Sequence, residues 1–101
     1  MELISENEFN EFVKNDCVIV DFYATWCGPC KMQSPVLEEL SSSRSEVKIA
    51  KVDVDKLQSL AQKYGVMSIP TLLLFKNGNL VDKKIGFTAL PILSEWINEN
   101  R

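Results

Sequence analysis

The sequence predicts an α/β fold in which a mixed sheet of about five strands is flanked by four helices, in the order βαβαβαββα. The first observation is the run Cys17–Tyr23, which is nearly continuous in apolar and β-branched residues, as in strands covered by helices on both faces. The second is that such runs alternate with segments of helical periodicity. The third is the turn Lys76–Asn79, whose Asn-Gly pair favours a two-residue β-hairpin.

Length and composition indicate one domain spanning residues 1–101. A chain of 101 residues can bury roughly two thirds of its unfolded surface around a single core. No segment approaches the about 18 consecutive apolar residues of a membrane span. The net charge of −3, without a cluster of Lys or Arg, argues against nucleic acid or an anionic membrane as the principal partner. Proteins or small molecules remain as partners.

The N-terminal segment carries no secretory signal. Met1–Glu6 is acidic and soon polar, without the basic and apolar regions that such a signal needs. We therefore expect a cytoplasmic protein. An organellar copy that has lost its transit peptide remains the alternative.

The first elements are a short strand at Leu3–Ile4 and an amphipathic helix. Ser5 and Glu8 have the spacing of a capping box, so Ser5 is expected at the N-cap of a helix that runs to about Asn15. The buried strand Cys17–Tyr23 follows.

A second helix is expected from about Gly28 to Ser42, because an apolar stripe recurs along it at helical spacing. Pro35 lies inside this pattern and predicts a kink. The polar segment Ser41–Ser45 ends the helix and is too short to link two domains.

The second half of the chain predicts three strands, the last two of them joined as a hairpin, and two helices. Val47–Val54 and Thr71–Phe75 are β-rich, and Leu80–Ile85 is the antiparallel mate across the hairpin. Asp55 is expected to cap the third helix, which Gly65 ends in a left-handed conformation.

Thr88 is expected to cap the last helix, with Pro91 tolerated in its first turn. The residues expected to face inward are Leu90, Leu93, Trp96 and Ile97.

Cys27 and Cys30 form a C-x-x-C pair between the buried strand and the second helix. Ligands of such sheets bind beyond the carboxyl ends of the strands, where helices begin. Cys27 at the helix N-cap would form its thiolate readily and act as nucleophile, whereas Cys30, one turn deeper, would resolve the mixed disulfide. Gly28 leaves the approach open, and Pro29 fits the first turn because its missing N–H would be unpaired there.

The numbers of cysteines and histidines in the chain limit the other roles that the cysteines could have. Three cysteines and no histidine cannot complete a structural zinc site, and they do not make a disulfide framework. Redox chemistry or two buried, unreactive cysteines remain for the pair. Cys17, at the start of the buried strand, is interpreted as a small apolar filler, with regulatory oxidation as the alternative.

Two charged residues interrupt apolar strands. Asp21 costs free energy there unless its carboxyl is paired, protonated or functional. Lys51 is the natural ion-pair partner for Asp21, although it could also extend its ammonium to solvent as an ordinary lysine.

The chain resembles the thioredoxin family over essentially its whole length. The matching motifs are Val20–Lys31, Ala50–Asp53, Tyr64–Val66, Ser68–Thr71 and Phe75–Gly78. The resemblance implies the thioredoxin fold and reversible dithiol–disulfide exchange, with a Cys27–Cys30 disulfide in the oxidised state. It also implies that Asp21 helps to deprotonate Cys30, that Gly28 and Pro29 help to set how reducing the pair is, and that the chain is a monomer. A purely structural Asp21 is the alternative.

The substrate-binding residues that the resemblance implies are Trp26, Ile69, Pro70 and Gly86. Pro70 would be a cis-proline beside the dithiol, and the Ile69 backbone would pair with an extended substrate segment. Trp26 would cover the dithiol and take part in docking, and Gly86 would keep the groove wall low. A trans proline that starts a strand and an ordinary turn glycine are the competing interpretations.

By resemblance, the function is general cytosolic protein-disulfide reduction without a bound cofactor or metal. Electrons would come from NADPH through a flavin-dependent thioredoxin reductase. The targets would be disulfide-containing proteins such as ribonucleotide reductase, peroxiredoxins and methionine sulfoxide reductases. A more oxidising, isomerase-like protein is disfavoured by Gly28-Pro29, because oxidising relatives often carry His there. A non-catalytic binding subunit is the other alternative.

Overall fold

The computed structural model describes residues 1–101, which form four helices and four strands. In chain order these are α1 (Glu6–Phe12), β1 (Cys17–Tyr23), α2 (Gly28–Ser43), β2 (Lys48–Asp53), α3 (Gln58–Lys63), β3 (Thr71–Lys76), β4 (Asn79–Ile85) and α4 (Leu90–Glu99). None of the helices combines the length and apolar character needed to cross a membrane.

The sheet is mixed, with the strand order β2-β1-β3-β4. β1 pairs with β2 in parallel and with β3 in antiparallel orientation, and β3 pairs with β4 across the hairpin. The central strand β1 has the predicted bounds and is buried along almost its whole length. A short turn connects its carboxyl end at Tyr23 to the N-terminus of α2 at Gly28.

Two apolar layers cover the two faces of the sheet. Side chains alternate along β1, so Val18 and Val20 pack with residues of α1 and α3, whereas Cys17 and Ile19 pack with residues of α2 and α4. By the same alternation, Asp21 lies on the face that α2 and α4 cover.

The expected first strand is wrong, and this lowers the strand count from about five to four. The N-terminal segment makes only an isolated bridge between Glu2 and Lys51, with Leu3 N–H donating to the Lys51 carbonyl at 2.9 Å. The segment cannot extend this ladder because the chain turns into α1 immediately afterwards. Ser5 is the N-cap as predicted, and its hydroxyl accepts from the Glu8 N–H at 3.1 Å.

The predicted cap of the third helix is also wrong. α3 begins three residues after Asp55, and its N-cap Leu57 makes no side-chain capping bond. The Asp55 carboxylate accepts instead from the indole N–H of Trp26 at 2.9 Å, a partner that local sequence does not reveal.

Thr88 does not cap the last helix. The N-cap of α4 is Ala89, without a side-chain capping bond, and Pro91 lies in the first turn as expected. The backbone of Thr88 is bonded to the side chain of Gln33 instead, so that the helix begins beyond it.

The turn predictions are confirmed. Asn77 and Gly78 both have positive φ angles, 53° and 87°, which is the backbone of a type I′ hairpin turn. Gly65 follows α3 with φ of 64°, as a left-handed residue after a helix should. On α4, Leu93, Trp96 and Ile97 are buried and Leu90 is partly buried.

Candidate functional site

The two cysteines lie where the carboxyl end of β1 meets the start of α2. Cys27 is the N-cap of α2 in extended conformation, and its Sγ accepts a hydrogen bond from the Cys30 N–H at 3.2 Å. Their sulfurs are joined as a disulfide, with the Cα atoms 5.3 Å apart. A sulfur at this position faces the positive end of the helix dipole, which favours its thiolate form after reduction.

The residues between the cysteines leave free space at the position of Gly28. A Cβ added to Gly28 would meet no atom within 4 Å, so the protein itself does not fill this space. Pro29 lies in the first turn of α2, where an amide N–H would have no helical partner. Cys27 and Cys30 are themselves only 5% and 3% exposed, so the approach of a substrate disulfide past Gly28 stays a prediction.

Ile69 and Pro70 form one wall beside Cys27. Their peptide bond is cis, and the Ile69 carbonyl oxygen lies 3.8 Å from the Cys27 Sγ. Gly86 N–H donates to the Pro70 carbonyl at 2.7 Å, which joins the segment after β4 to this wall. The structure thus places Ile69 next to Cys27 and joins Gly86 to Pro70 by a hydrogen bond. Binding of a substrate segment by these residues stays a prediction.

Trp26 presents its indole at the surface immediately before Cys27. The side chain is 69% exposed, and its N–H is anchored by the Asp55 carboxylate. An exposed ring held in one orientation is available for contact with a docked partner. Shielding of the dithiol by this ring stays a prediction.

Asp21 is completely buried, and neither of its carboxylate oxygens has a hydrogen-bond partner in the protein. Burial disfavours the charged carboxylate and raises the pKa of Asp21 to about 7. The Lys51 charge opposes this shift and the Glu2 charge adds to it. A carboxyl in this state can take up or release a proton near neutral pH.

The expected ion pair between Lys51 and Asp21 is not formed. The two residues are in register on neighbouring strands, but the Lys51 Nζ donates to the Ser34 hydroxyl at 2.7 Å and lies 4.4 Å from the centre of the Tyr23 ring. These contacts hold the ammonium away from hydrogen-bonding distance of the carboxylate. The Ser34 hydroxyl lies in turn 3.5 Å from the carbonyl oxygen of Cys30.

Sequence reasoning missed the polar residues that follow Cys30 on α2. Gln33 is completely buried and is bonded to the backbone of Thr88, and Ser34 holds Lys51. The available indication was that Gln33 takes a position in the buried stripe of α2, the other buried members of which are Cys30, Leu37 and Leu40. A primary amide at such a position requires specific partners.

Tyr23 links the site to the N-terminal segment. Its hydroxyl donates to the Glu2 carboxylate at 2.8 Å, and burial together with this carboxylate raises the pKa of the phenol. The N-terminal segment therefore places a negative charge near the polar groups under α2.

The third cysteine lies in the apolar layer of α2 and α4. Cys17 is buried and free, and burial raises the pKa of its thiol. A neutral thiol packed among apolar side chains agrees with the filler interpretation. Trp96 is core, as expected. No group of three or more metal-binding side chains is present.

Comparison with known proteins gives one consistent family. The Thioredoxin family model matches residues 1–99. The chain is 45% identical to a thioredoxin of Chlamydia caviae, covering 99% of this chain and 98% of that protein. It is 46% identical to a thioredoxin of Bacillus subtilis, covering 95% and 93%.

Solved structures agree with these sequences. A mutant thioredoxin from Halobacterium salinarum NRC-1 superimposes with a TM-score of 0.92 at 39% identity, covering 98% of this chain and 88% of that one. Mitochondrial Thioredoxin 3 from Saccharomyces cerevisiae, in its oxidised form, gives 0.90 at 39% identity, covering 98% and 93%. The fold, the C-x-x-C pair at a helix N-terminus and these similarities have one explanation: the chain belongs to the thioredoxin family of thiol–disulfide oxidoreductases.

Proposed function

We propose that this protein is a general protein-disulfide reductase in which Cys27 attacks and Cys30 resolves. The observation that carries the proposal is the position of Cys27 at the N-cap of α2, where the Cys30 N–H points at its sulfur from 3.2 Å. In the reduced protein this donor and the helix dipole favour the Cys27 thiolate, which is the attacking species in thiol–disulfide exchange.

The reaction transfers two electrons in two exchange steps. The Cys27 thiolate attacks one sulfur of the substrate disulfide, and the other substrate sulfur leaves as a thiolate that takes up a proton. Cys30 then loses its proton and attacks the Cys27 sulfur, which breaks the mixed disulfide and releases the second substrate thiolate. The substrate gains two electrons and two protons, and the protein is left with the Cys27–Cys30 disulfide.

Asp21 is the proposed proton acceptor for Cys30. Its carboxyl is buried on the face of the sheet that α2 covers, and its pKa of about 7 allows it to accept a proton in the physiological range. Lys51 supports this role through the electrostatic effect of its charge, which favours the ionised carboxylate. An Asp21→Asn variant should therefore resolve the mixed disulfide more slowly, while alkylation of Cys27 stays comparatively fast.

Substrate docking is assigned to the surface around the dithiol. The extended segment of a partner would pair with the Ile69 backbone beside Pro70, between the exposed Trp26 ring and the low wall at Gly86. Gly28 and Pro29 are proposed to tune how reducing the pair is.

Membership of the family supports a proposal for the physiological setting. We infer a monomer of the cytoplasm that binds no cofactor of its own and receives electrons from NADPH through thioredoxin reductase. Ribonucleotide reductase, peroxiredoxins and methionine sulfoxide reductases are the proposed classes of target.

The deciding experiment is insulin reduction with purified thioredoxin reductase and NADPH. The wild type should turn over, and a Cys27→Ser variant should lose all activity because it has no attacking thiolate. Equilibration with glutathione separates the reductase from an isomerase-like oxidant: a couple more oxidising than the glutathione pool overturns the proposal. Absence of turnover in the wild type also overturns it and leaves a non-catalytic binding protein.

A further inference from the structure

Gln33 is a polar residue at a core position of the helix that carries the dithiol. It lies one turn after Cys30 in the buried stripe of α2 and is completely buried. A buried primary amide costs free energy unless its donors and acceptor find partners. The partners of Gln33 therefore indicate what this residue holds in place.

Both ends of the Gln33 amide bond to the backbone of a single residue that lies 55 positions further along the chain. The Nε2 donates to the Thr88 carbonyl at 3.0 Å, and the Thr88 N–H donates to the Oε1 at 2.8 Å. This reciprocal pair uses the Thr88 backbone as a neighbouring strand would. These two hydrogen bonds hold a segment that has no regular secondary structure of its own and lies between the end of β4 and the start of α4.

The hydrogen bonds continue from Thr88 to the wall beside the dithiol. The Thr88 hydroxyl donates to the Gly86 carbonyl at 3.3 Å, and the Gly86 N–H donates to the Pro70 carbonyl at 2.7 Å. The segment Gly86–Thr88 is thus held at two points, by Pro70 at one end and by Gln33 at the other. Between them Phe87 is 44% exposed.

We propose that Gln33 is a positioning residue for protein substrates, because it holds the segment Gly86–Thr88 as the second wall of the docking groove. This inference rests on the proposed function and assigns a further determinant of substrate binding within it. Gln33 does not touch the reacting sulfurs. Its amide fixes how far this wall stands from α2, and so how Gly86 meets an extended segment seated beside Pro70.

The role predicts a selective loss in a Gln33→Leu variant. Chemically reduced protein is mixed with insulin over a range of concentrations, and the half-saturating concentration and limiting rate constant of reduction are measured. The half-saturating concentration should rise about tenfold, with the limiting rate constant retained, because only binding to the groove is weakened. The rate with 5,5′-dithiobis(2-nitrobenzoic acid), a small disulfide that does not span the groove, should change less than about twofold.

An Arg44→Ala variant is the matched control. Arg44 also joins the α2 side to α4, through bonds of 3.0 Å to Ser94 and to Asn98, but at the end of α2 remote from the dithiol. It should lose comparable stability and leave the half-saturating insulin concentration unchanged. An equal change in both variants, or an equal fall with insulin and the small disulfide in Gln33→Leu, overturns the proposal.

A second variant and a hydrogen-exchange measurement on the wild type also test the proposal. Gln33→Asn keeps the amide but is one methylene too short to reach Thr88, so it should behave as Gln33→Leu does. In the wild type the Thr88 amide hydrogen should exchange as slowly as that of Gly86, and rapid exchange at Thr88 overturns the proposal without any variant. If wild-type protein reduces neither substrate, the proposed function itself fails, and the two failures are thereby distinguished.

Discussion

Lys51 donates a hydrogen bond to Ser34 at 2.7 Å, although its strand position places it in register with Asp21. The Lys51 ammonium is therefore bound to α2, the helix that carries the dithiol. It is not bound to the Asp21 carboxylate. Lys51 acts on Asp21 through its charge alone, against the larger effect of burial. Glu2 acts in the opposite direction, so two oppositely charged side chains adjust the protonation of one buried carboxyl.

Removing either charge should move the pKa of Asp21 in a known direction. Lys51→Met should raise it, because the nearby positive charge favours the carboxylate, and Glu2→Gln should lower it, because a like charge is removed. The pKa can be followed by NMR of the Asp21 carboxyl carbon during a pH titration. Shifts of the same sign in the two variants would contradict this account.

Stability should fall as the pH rises through the range in which Asp21 titrates. The folded pKa of about 7 is higher than the ordinary value of 3.8, so the folded state binds the proton more tightly than the unfolded state. The stability that proton binding to Asp21 contributes is complete below pH 4 and is lost progressively up to about pH 7. It amounts to about 4 kcal/mol.

The check is the free energy of unfolding by urea for wild type and Asp21→Asn, measured between pH 4 and pH 8. Other titrating groups are common to both proteins, so their difference isolates Asp21. The variant should gain stability relative to wild type as the pH rises. A difference that stays constant with pH would show that folding does not raise the pKa of Asp21.

Replacing the resolving cysteine should trap the first half of the reaction. A Cys30→Ser variant retains the Cys27 thiolate and should accumulate a mixed disulfide with insulin, visible as a higher-mass species by non-reducing electrophoresis. Cys17→Ala is the control, because Cys17 is buried in the apolar layer and should leave turnover intact. A mixed disulfide that forms on Cys17 and not on Cys27 would contradict the assignment of Cys27 as the attacking cysteine.

Gly86→Ala and Gly78→Ala form a matched pair of substitutions. Both glycines have φ of 87°, and an added Cβ at either meets no atom within 4 Å. Each alanine should therefore cost a similar backbone strain of about 1–2 kcal/mol. Only Gly86→Ala should raise the half-saturating insulin concentration, because only that Cβ enters the proposed groove. An equal effect of Gly78→Ala would remove Gly86 from the substrate surface.

Local patterns predicted the elements that depend on local physics. The apolar run of β1 and the Asn77-Gly78 turn are where the sequence placed them, because burial on both faces and positive φ angles restrict the residues that fit. The C-x-x-C position followed from the same two patterns, since a strand and a helix must meet there.

The errors arose where a partner distant in sequence takes over a local group. Thr88 is of a residue type that often caps helices, but Gln33, 55 residues away, binds its backbone. Asp55 also fits a cap, and the Trp26 indole captures its carboxylate. Lys51 matched Asp21 by strand register, yet Ser34 on the helix above offers it a hydrogen bond with a smaller desolvation cost.

The two tryptophans differ in a way that gives the protein an internal optical probe. Trp26 is 69% exposed beside the dithiol, whereas Trp96 is 2% exposed in the core, and the chain contains no other tryptophan. An aqueous quencher such as iodide will therefore extinguish emission from Trp26 and spare Trp96. The quenchable part of the fluorescence reports occupancy of the docking surface, and the remaining part reports whether the core is intact.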